Sequence, residues 1–300
     1  MKTVIIASGK GGTGKTTLTA LLAHLAARDM AVVVIDADVE ASNLPIALHA
    51  RRVDCTDFSG GQTAHIDAAR CQACGLCADV CRFDALYPDT ARGCYAVDPF
   101  ACEGCGACLH VCPSGVLTMA PVTVGFVCSG TSAVGPMAYG QLGPGEDLSG
   151  KLVTEVRGRG KTAAESHAAA LMLIDGPPGI GCPVIAAMTN TDLLIAVAEP
   201  TVSGEHDLSR LVDLADRFHL PVSVVLNKAD LSVPGALRIR ALCDARGLTL
   251  VAEIPFDPAL AGSLEHLASR DTDGFVGNES AGMRAVVQAW ETIRRGLALD

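Results

Sequence analysis

A glycine-rich loop close to the N-terminus is the feature that most constrains this 300-residue chain. A short apolar run, TVIIA, follows Lys2 and ends at Ala7, and the sequence SGKGGTGKTT then leads into a helix-like run, LTALLAHLAARDM. A strand, the pattern GxxxxGKT and a helix form the setting in which backbone N–H groups and a helix N-terminus hold phosphates. We therefore predict a phosphate-binding loop in which Lys15 reaches the phosphates and the Thr16 hydroxyl coordinates magnesium.

Further apolar, partly β-branched runs along the chain end in polar residues. They are AVVVIDAD, ALMLIDGPPG, DLLIAVAEPT, PVSVVLNKAD and LTLVAEIPFDP. Continuous apolar strands that alternate with helical stretches predict an α/β fold, in which a mostly parallel sheet has helices on both faces. Ligands of such folds bind beyond the carboxyl ends of the strands.

Three aspartates end two of these strands and are candidate magnesium-site residues. Asp36 and Asp38 end AVVVIDAD, and Asp175 ends the run ALMLID. Carboxylates at this edge hold magnesium waters and orient an attacking water, as phosphoryl transfer requires. The alternative is a structural role, because acidic residues commonly cap the helix that follows a strand.

The chain also carries an internal duplication of cysteines. The stretch CQACGLCADVC, Cys71 to Cys81, reappears as CEGCGACLHVC, Cys102 to Cys112, and the two copies align without a gap. With the spacing CxxCxxCxxxC, three thiolates on a short turn bind one iron–sulfur cube while the fourth binds a second cube. The predicted 4Fe-4S ligand sets are Cys71, Cys74, Cys77 and Cys112 for one cluster, and Cys81, Cys102, Cys105 and Cys108 for the other. Two structural zinc sites are the alternative, although zinc motifs usually place cysteine pairs farther apart.

These motifs carry two resemblances to known families. The segment from about His65 to Met119 resembles a bacterial-type two-cluster ferredoxin. With KGGTGKT, DAD and DGPPG, the rest of the chain resembles the MinD/ParA group of P-loop ATPases, which includes the nitrogenase iron protein. GPPGIGCP, EPTVSGEHDLSR, VLNKAD and EIPFDP together resemble the MinD-superfamily ATPases with an inserted ferredoxin domain. The resemblance implies a P-loop ATPase core over residues 1–60 and 121–300, interrupted by a small α+β ferredoxin-like insert over residues 61–120.

The MinD/ParA resemblance also assigns roles to residues of the loop. It implies that Lys10 crosses a dimer interface to the partner's ATP, so a homodimer that sandwiches the nucleotide is expected. It implies that Asp38 positions the attacking water, which gives Lys10, Lys15 and Asp38 as catalytic residues. The expected nucleotide-binding residues are Gly11, Gly12, Thr13, Gly14, Lys15, Thr16, Thr17, Asn227, Pro255 and Asp257, and the expected magnesium residues are Thr16, Asp36 and Asp175.

The choice of base stays open at the motif NKAD, because NKxD is also how GTPases bind guanine. Asn227 would hydrogen-bond the base in either case, and Asp230 would select guanine if it reached the ring. The family resemblance favours adenine, with Asn227 and the loop from Pro255 to Asp257 around it.

Cysteines outside the two repeats have no ligand spacing. Cys182 follows Asp175 by seven residues, where the nitrogenase iron protein has a cysteine that binds a dimer-bridging cluster. Such a bridge needs two cysteines per subunit, and Cys128, the nearest candidate, is displaced from that family's pattern. We therefore interpret Cys182 as a small buried residue. The remaining cysteines, Cys55, Cys94, Cys128 and Cys243, are expected to be ordinary packing or surface residues.

Composition limits the partners and the compartment. The 33 acidic residues outnumber the 23 basic ones, and the net charge of −10 argues against intrinsic affinity for nucleic acid or anionic lipid. The apolar runs are shorter than the roughly 18 residues of a membrane span, and too few apolar residues precede the glycine loop for a signal peptide. We therefore expect a cytoplasmic protein without stable membrane association, whose 13 cysteines are metal ligands and not disulfides.

Two further segments have a predicted structure. GPMAYGQLGPGEDLSGK is rich in glycine and proline, so it is predicted to form a loop and turns. MRAVVQAWETIRRGL is predicted to be a helix that packs against the sheet through one face, formed by Met283, Val286, Trp290, Ile293 and Leu297.

Together these features predict an ATP-hydrolysing dimer with ATP or ADP, Mg²⁺ and two 4Fe-4S clusters as cofactors. Two functions follow: an ATP-gated electron carrier that reduces an unidentified partner, and a carrier or assembly factor for iron–sulfur or other metal clusters. The complete set of eight thiols favours the electron carrier, because a scaffold that releases its cargo needs labile or open coordination. A positioning ATPase whose clusters sense redox state is a third alternative.

Overall fold

The structure is a computed structural model that describes residues 1–146, 148–260, 262 and 280–299. The chain divides into two compact units. The first comprises Met1–Thr56 and Phe126–Asp300, and the second is Asp57–Gly125.

The described strands are mostly parallel neighbours in one sheet. In chain order they are β1 (Lys2–Ser8), β2 (Val32–Asp36), β3 (Arg51–Ile66), β4 (Leu86–Asp89), β5 (Cys94–Val97), β6 (Leu117–Ser132), β7 (Gly135–Leu142), β8 (Leu171–Pro178), β9 (Leu193–Ala198), β10 (Val222–Asn227) and β11 (Thr249–Ile254). Among the described residues, nine strands form a sheet in the order β11-β10-β9-β1-β8-β2-β7-β6-β3, and β4 pairs with β5. The pairs from β11 to β7 are all parallel.

The described helices are α1 (Lys15–Ala26), α2 (Leu44–Ala47), α3 (Leu76–Asp79), α4 (Ala107–Val111), α5 (Ser149–Ser166), α6 (Cys182–Met188), α7 (Val202–Arg217), α8 (Val233–Arg246) and α9 (Ala281–Gly296). A short 3₁₀ turn covers Ala229–Leu231. No helix in the described part of the chain has the length and apolar character that crossing a membrane requires.

The central strands are apolar throughout because the sheet is covered on both faces. Val34 of β2 belongs to a core cluster with residues of α1 and α9, whereas Val33 packs with Ala164 of α5. Successive side chains of a strand point to opposite faces, so the two neighbours meet different helices. The predicted α/β fold with a mostly parallel sheet is confirmed.

Helix α9 packs against β11 and α1, as its apolar face predicts. The face consists of Met283, Val286, Trp290, Ile293 and Leu297, all of which are buried. The Ser280 hydroxyl accepts a hydrogen bond from the Met283 N–H and caps the helix.

The prediction of loop and turns after residue 134 is wrong in its first half. Residues Gly135–Leu142 form β7, which pairs in parallel with β2, and α5 begins at Ser149; Asp147 lies outside the described residues. A Cβ at Gly140 would lie 2.7 Å from Val156 Cγ2 of α5. Glycine is needed here for close helix packing on a strand, so its presence did not indicate a turn.

The second unit is built on the cysteine duplication. Helices α3 and α4 each begin directly after the glycine of one repeat, and β4 pairs antiparallel with β5. Its small core contains equivalent residues of the two copies, namely Cys77 with Cys108 and Leu86 with Leu117. Equivalent positions of the repeats therefore share one small core.

Two expectations about the other cysteines are wrong. Cys55 of β3 and Cys128 of β6 form a disulfide, with Cα atoms 4.1 Å apart, although disulfides were not expected. The two strands are neighbours in the sheet, and a separation of 73 residues in sequence gave no sign of that contact. Cys182 is exposed and not buried, because it lies at the first position of α6. Cys94 and Cys243 are buried thiols, as expected of packing residues.

Replacing Ile293→Ala should lower the free energy of unfolding by about 2 to 5 kcal/mol, because the lost side chain leaves a cavity in the core around α9. Urea unfolding followed by the fluorescence of Trp290, the chain's sole tryptophan, measures the change. The matched control is Val287→Ala on the same helix, where the side chain is 38% exposed and the expected change is within about 0.5 kcal/mol. Equal changes in the two variants would contradict the assigned core face.

Candidate nucleotide site and cysteine cavities

The glycine-rich loop connects β1 to α1 in a conformation that requires glycine. Gly14, directly before α1, has φ 91°, in the left-handed region that non-glycine residues rarely adopt. A Cβ at Gly9 would lie 2.4 Å from Cβ of Asp207, so the loop is in direct contact with α7. Lys15 is the first residue of α1 and is largely buried, and Thr13 is buried with a hydroxyl that has no hydrogen-bond partner among the described residues. The loop therefore leaves polar groups that a bound anion would satisfy.

Two cavities flank this loop. One, of about 820 Å³, is lined among others by the predicted residues Gly11, Gly12, Gly14, Lys15, Thr16, Thr17 and Asp38. The other, of about 430 Å³, is lined among others by Gly12, Gly14, Thr17, Asn227, Pro255, Phe256 and Asp257. Both volumes lie within the usual range for small-molecule sites. The structure thus brings most of the predicted nucleotide-binding residues to adjoining cavities on the two sides of one loop.

Asp175 contacts the loop helix directly. Its carboxylate accepts hydrogen bonds from Thr16 Oγ1 at 2.6 Å and from Thr19 Oγ1 at 3.3 Å. Burial raises the pKa of Asp175 to about 7, even though the hydrogen bond from Thr16 and the charge of Lys15 oppose the rise. The two predicted magnesium residues Thr16 and Asp175 are therefore paired with each other.

Asp36 is buried beside Asp175 on the neighbouring strand, and the two residues are register partners. Its carboxylate accepts hydrogen bonds from the Asp38 N–H at 3.0 Å, the Ser42 hydroxyl at 2.8 Å and the Leu44 N–H at 3.0 Å. Burial, followed by the charge of Asp175, raises the pKa of Asp36 well above its ordinary value. Because Leu44 is the first residue of α2, the alternative capping role is present in the structure, and the magnesium role stays a prediction.

Asp38 differs from Asp36 because it lines the larger cavity. Burial raises its pKa, and the charge of Lys15 opposes that rise. Of the three candidate aspartates Asp36, Asp38 and Asp175, Asp38 is therefore the one that lines the larger cavity beside the loop.

Asn227 binds the loop itself. Its Nδ2 donates to the Thr13 carbonyl at 2.8 Å, and a Cβ at Gly14 would lie 2.5 Å from that nitrogen. Asp230 accepts a hydrogen bond from the Phe256 N–H at 2.6 Å, which fixes the loop after β11. The amide of Asn227 thus supports the loop, and Asp230 is engaged by the backbone of a cavity-lining residue.

Asp257 lines the smaller cavity but is also a structural acceptor. Its oxygens accept from the Ala259 N–H at 3.0 Å and the Gly282 N–H at 3.1 Å. The hydrogen bond from the Ser280 hydroxyl is the main cause of its lowered pKa. The carboxylate therefore links the loop after β11 to the start of α9.

Lys10 takes part in an ion-pair network that sequence reasoning missed. Its Nζ lies 3.1 Å from Glu199 Oε2, and Lys228 Nζ lies 2.6 Å from Glu199 Oε1. Lys10 Nζ also contacts the hydroxyls of Thr201 at 3.4 Å and Ser203 at 3.3 Å. Burial opposes ionisation of Glu199, but the two lysines outweigh it and lower its pKa. Lys10, which was predicted to act across a dimer interface, is thus held by its own chain.

The eight predicted cluster ligands divide between two cavities of the second unit. One is lined among others by Cys71, Cys74, Cys77 and Cys112, and the other by Cys81, Cys102, Cys105 and Cys108. Each cavity therefore receives three cysteines of one repeat and the fourth cysteine of the other copy.

Several of these sulfurs have neighbours that change their acidity. The pKa of Cys112 is lowered, first by the Val116 N–H and then by the Ser114 hydroxyl. Burial opposes ionisation of Cys102, but the nearby Thr63 side chain and the Ala64 N–H, which donates to its sulfur, outweigh burial and lower the pKa. Burial raises the pKa of Cys77 and Cys108, which occupy equivalent positions. Within the described residues, no three histidine, cysteine, aspartate or glutamate side chains form a group suited to one metal ion.

The chain matches the protein-family model described as the CobQ/CobB/MinD/ParA nucleotide binding domain over residues 4–268. It is 34% identical over 228 residues to an uncharacterized protein of Methanocaldococcus jannaschii, covering 76% of this chain and 78% of that protein. It is 22% identical over 271 residues to the iron-sulfur cluster carrier protein of Rickettsia bellii, covering 88% of this chain and 64% of that protein.

Solved structures share the fold. The septum site-determining protein MinD of Pyrococcus horikoshii, in complex with Mg-ADP, superposes with a TM-score of 0.55 at 21% identity, covering 99% of this chain and 97% of that chain. The cell division ATPase MinD of Pyrococcus furiosus gives 0.54 at 23% identity, covering 98% of each chain.

In the absence of magnesium and nucleotide, the contribution of Asp175 to the free energy of unfolding should fall as pH rises from about 4 to about 7, whereas His24, whose pKa burial lowers to about 4, contributes with the opposite sign. The unfolded chain releases the Asp175 proton near the ordinary pKa of 3.8, whereas the folded chain keeps it up to about 7, so rising pH favours unfolding over that window. Urea unfolding at several pH values measures the slope. In Asp175→Asn the free energy of unfolding should rise more, or fall less, with pH than in the wild type over this window, and an unchanged slope would contradict the assignment.

Replacing Glu199→Gln should lower the free energy of unfolding by about 1 to 2 kcal/mol, because the partly buried carboxylate loses its charge between Lys10 and Lys228. The matched control is Glu165→Gln, whose exposed pair with Lys161 should change stability by less than about 0.5 kcal/mol. Urea unfolding of both variants measures the difference, and equal effects would show that the network has no special contribution.

Proposed function

Because the chain belongs to the CobQ/CobB/MinD/ParA nucleotide-binding family, we propose that it binds and hydrolyses ATP and couples nucleotide-dependent dimerisation to electron transfer through two 4Fe-4S clusters. The observation that carries the iron–sulfur part is the crosswise division of eight cysteines between two cavities. In this proposal one chain has both activities. The nucleotide binds in the first unit, and the clusters bind in a ferredoxin-like insert at about residues 61–120.

The proposed nucleotide chemistry uses residues that already lie beside the phosphate loop. Lys15 supplies positive charge to the β- and γ-phosphates from the start of α1. The Thr16 hydroxyl donates to Asp175, and these two side chains would hold magnesium, which would supply positive charge beside the phosphates. Asp38, which faces the larger cavity, orients the water that attacks the γ-phosphate.

Dimerisation is proposed to use Lys10. In the single chain its ammonium group is bound to Glu199 at 3.1 Å and is 32% exposed. Reaching a partner's nucleotide requires breaking that ion pair, which is weak enough to exchange because it is partly solvated. The released Glu199 keeps Lys228 as a partner, so the rearrangement does not leave a buried carboxylate uncompensated.

The cysteine cavities fit two clusters by their donor set. Each is lined by four cysteines, and thiolate sulfur is the donor that binds iron–sulfur clusters. Lowered pKa values at Cys102 and Cys112 favour the thiolate that iron requires. Bound clusters would supply one-electron chemistry, and the protein would tune it through hydrogen bonds to sulfur such as that from the Ala64 N–H.

A second candidate function is the delivery of iron–sulfur or other metal clusters to another protein. The likeness to the iron-sulfur cluster carrier protein of Rickettsia bellii favours it. Full ligation by eight cysteines favours electron transfer instead, since a carrier must release what it holds. For both functions we propose that the protein is a cytoplasmic homodimer that acts on a redox or metal-cluster partner and does not bind nucleic acid.

Protein purified without oxygen should contain about eight iron and eight sulfide ions per chain, as two 4Fe-4S clusters require. Cys77→Ala and Cys108→Ala should each remove roughly half of the iron, because each sulfur belongs to a different cavity. Iron and sulfide analysis with electron paramagnetic resonance of the reduced protein, with and without Mg-ATP, provides the measurement. The matched control is Cys94→Ala, a buried cysteine of the same unit outside both repeats.

Zinc in place of iron, or equal loss in the Cys94→Ala control, would disprove the cluster assignment. ATP-dependent reduction of an acceptor by the intact protein supports electron transfer, whereas stoichiometric movement of iron and sulfide into an apo-acceptor supports the carrier.

ATP hydrolysis should fall by about a hundredfold or more in Lys15→Ala, as expected for loss of a phosphate-binding charge.

A further inference from the structure

The Cys55–Cys128 disulfide occupies a particular place in the chain. Cys55 lies one residue before Thr56, where the chain leaves the first unit, and Cys128 lies two residues after Phe126, where the chain returns. The bond therefore closes a loop that contains all eight cysteines of the two repeats. We propose that this pair is a reversible dithiol–disulfide site, which a dithiol reductant opens and an oxidant of the disulfide class closes in the folded protein.

The two sulfurs differ in their access to solvent. Cys128 is fully buried, whereas Cys55 is partly exposed on β3, the strand at the edge of the sheet. A thiolate from solvent therefore attacks Cys55 Sγ, since attack on Cys128 would require opening the core. This asymmetry fixes which cysteine forms the mixed disulfide.

The reaction balances as a two-electron exchange. The first thiolate of the dithiol bonds to Cys55 Sγ as the Cys55–Cys128 bond breaks, and Cys128 leaves as a thiolate that takes up a proton. The second thiol of the reductant then attacks the mixed disulfide, which releases the Cys55 thiol and leaves the reductant as a cyclic disulfide. The protein gains two electrons and two protons, and the dithiol loses them.

Contacts around the bond hold the strands in place when it opens. Arg159 of α5 forms an ion pair with Asp54 at 3.6 Å and a hydrogen bond to the Thr56 hydroxyl, so both neighbours of Cys55 are tied to the helix. The guanidinium of Arg52 lies 5.8 Å from the centre of the Phe126 ring. These contacts and the pairing of β3 with β6 keep the two thiols close after reduction, which makes reoxidation an intramolecular step at high effective concentration.

Reduction of the disulfide affects β3, the strand at the edge of the sheet. Residues 51–54 of β3 are all exposed, and β3 has no neighbour on its outer side among the described strands. Reduction removes the covalent tie that fixes this edge strand to β6, so its backbone hydrogen bonds should open more often. The disulfide thus sets how firmly β3 is held to β6.

The test equilibrates the intact protein without oxygen in graded ratios of oxidised to reduced dithiothreitol, followed by acid quenching and alkylation. Trypsin gives the peptide Val53–Arg70, in which Cys55 is the sole cysteine, so its alkylation reports the bond without interference from the repeats. Cys55 should change from blocked to alkylated as the share of reduced dithiothreitol increases. A tenfold change in the ratio of reduced to oxidised reagent should change the thiol-to-disulfide ratio of Cys55 tenfold. Hydrogen exchange of residues 51–56 should rise roughly tenfold on reduction, while Trp290 fluorescence stays that of the folded protein.

In Cys128→Ala, Cys55 should be alkylated at every ratio, whereas Cys243→Ala, which removes another buried thiol, should titrate like the wild type. Three results would overturn the proposal. Alkylation of wild-type Cys55 at all ratios would show that the bond does not form. Blockage at all ratios until urea is added would show a permanent structural bond, and loss of native fluorescence on reduction would show that opening unfolds the protein.

Discussion

Burial of two carboxylates on neighbouring strands is the constraint around which the nucleotide site is arranged. Asp36 and Asp175 are register partners on β2 and β8, and both are almost completely removed from solvent. Two adjacent buried charges are costly unless they are protonated or compensated, and the groups that compensate this pair are hydrogen-bond donors and the charge of Lys15, which act against the nearby carboxylate of Asp38. The hydroxyls of Thr16 and Thr19, the backbone start of α2 and the ammonium group of Lys15 all turn towards this pair. The phosphate loop, α1 and α2 are thereby held at one end of the sheet.

Much of the central sheet is predictable from sequence because its strands are buried on both faces and so are continuously apolar. The strands at the other edge of the sheet were not predicted, because they lack this continuous apolar pattern. β3 is mostly exposed and polar, and β7 contains the glycine that α5 needs for close packing. The disulfide between β3 and β6 depends on a sheet order that no local pattern contains. Helix α9 was predictable because its apolar residues recur with helical period.

The candidate sites also divide into features that a local sequence pattern predicts and features that depend on contacts between distant residues. The phosphate loop and the cysteine sets were predictable because their chemistry lies in short, regular spacings, and the duplication itself implies that each fourth cysteine joins the other copy. Glu199 could not be assigned, since its role depends on two lysines that are distant in sequence and adjacent in space. Asp36, Asn227 and Asp257 show why a motif residue can have more than one role: each was expected to bind a ligand, and each also holds backbone N–H or carbonyl groups in place.

The contact between Gly9 and Asp207 has a mechanical consequence. The loop backbone lies directly against Asp207 of α7 because Gly9 has no side chain, and a Cβ at Gly9 would clash with both the Cβ and the backbone carbonyl of Asp207. Helix α7 has 16 residues and is about 24 Å long, and its first turn carries Ser203, one of the hydroxyls that hold Lys10. A change in the position of the loop at Gly9 would therefore be felt directly by the middle of α7, the helix whose first turn helps to hold Lys10.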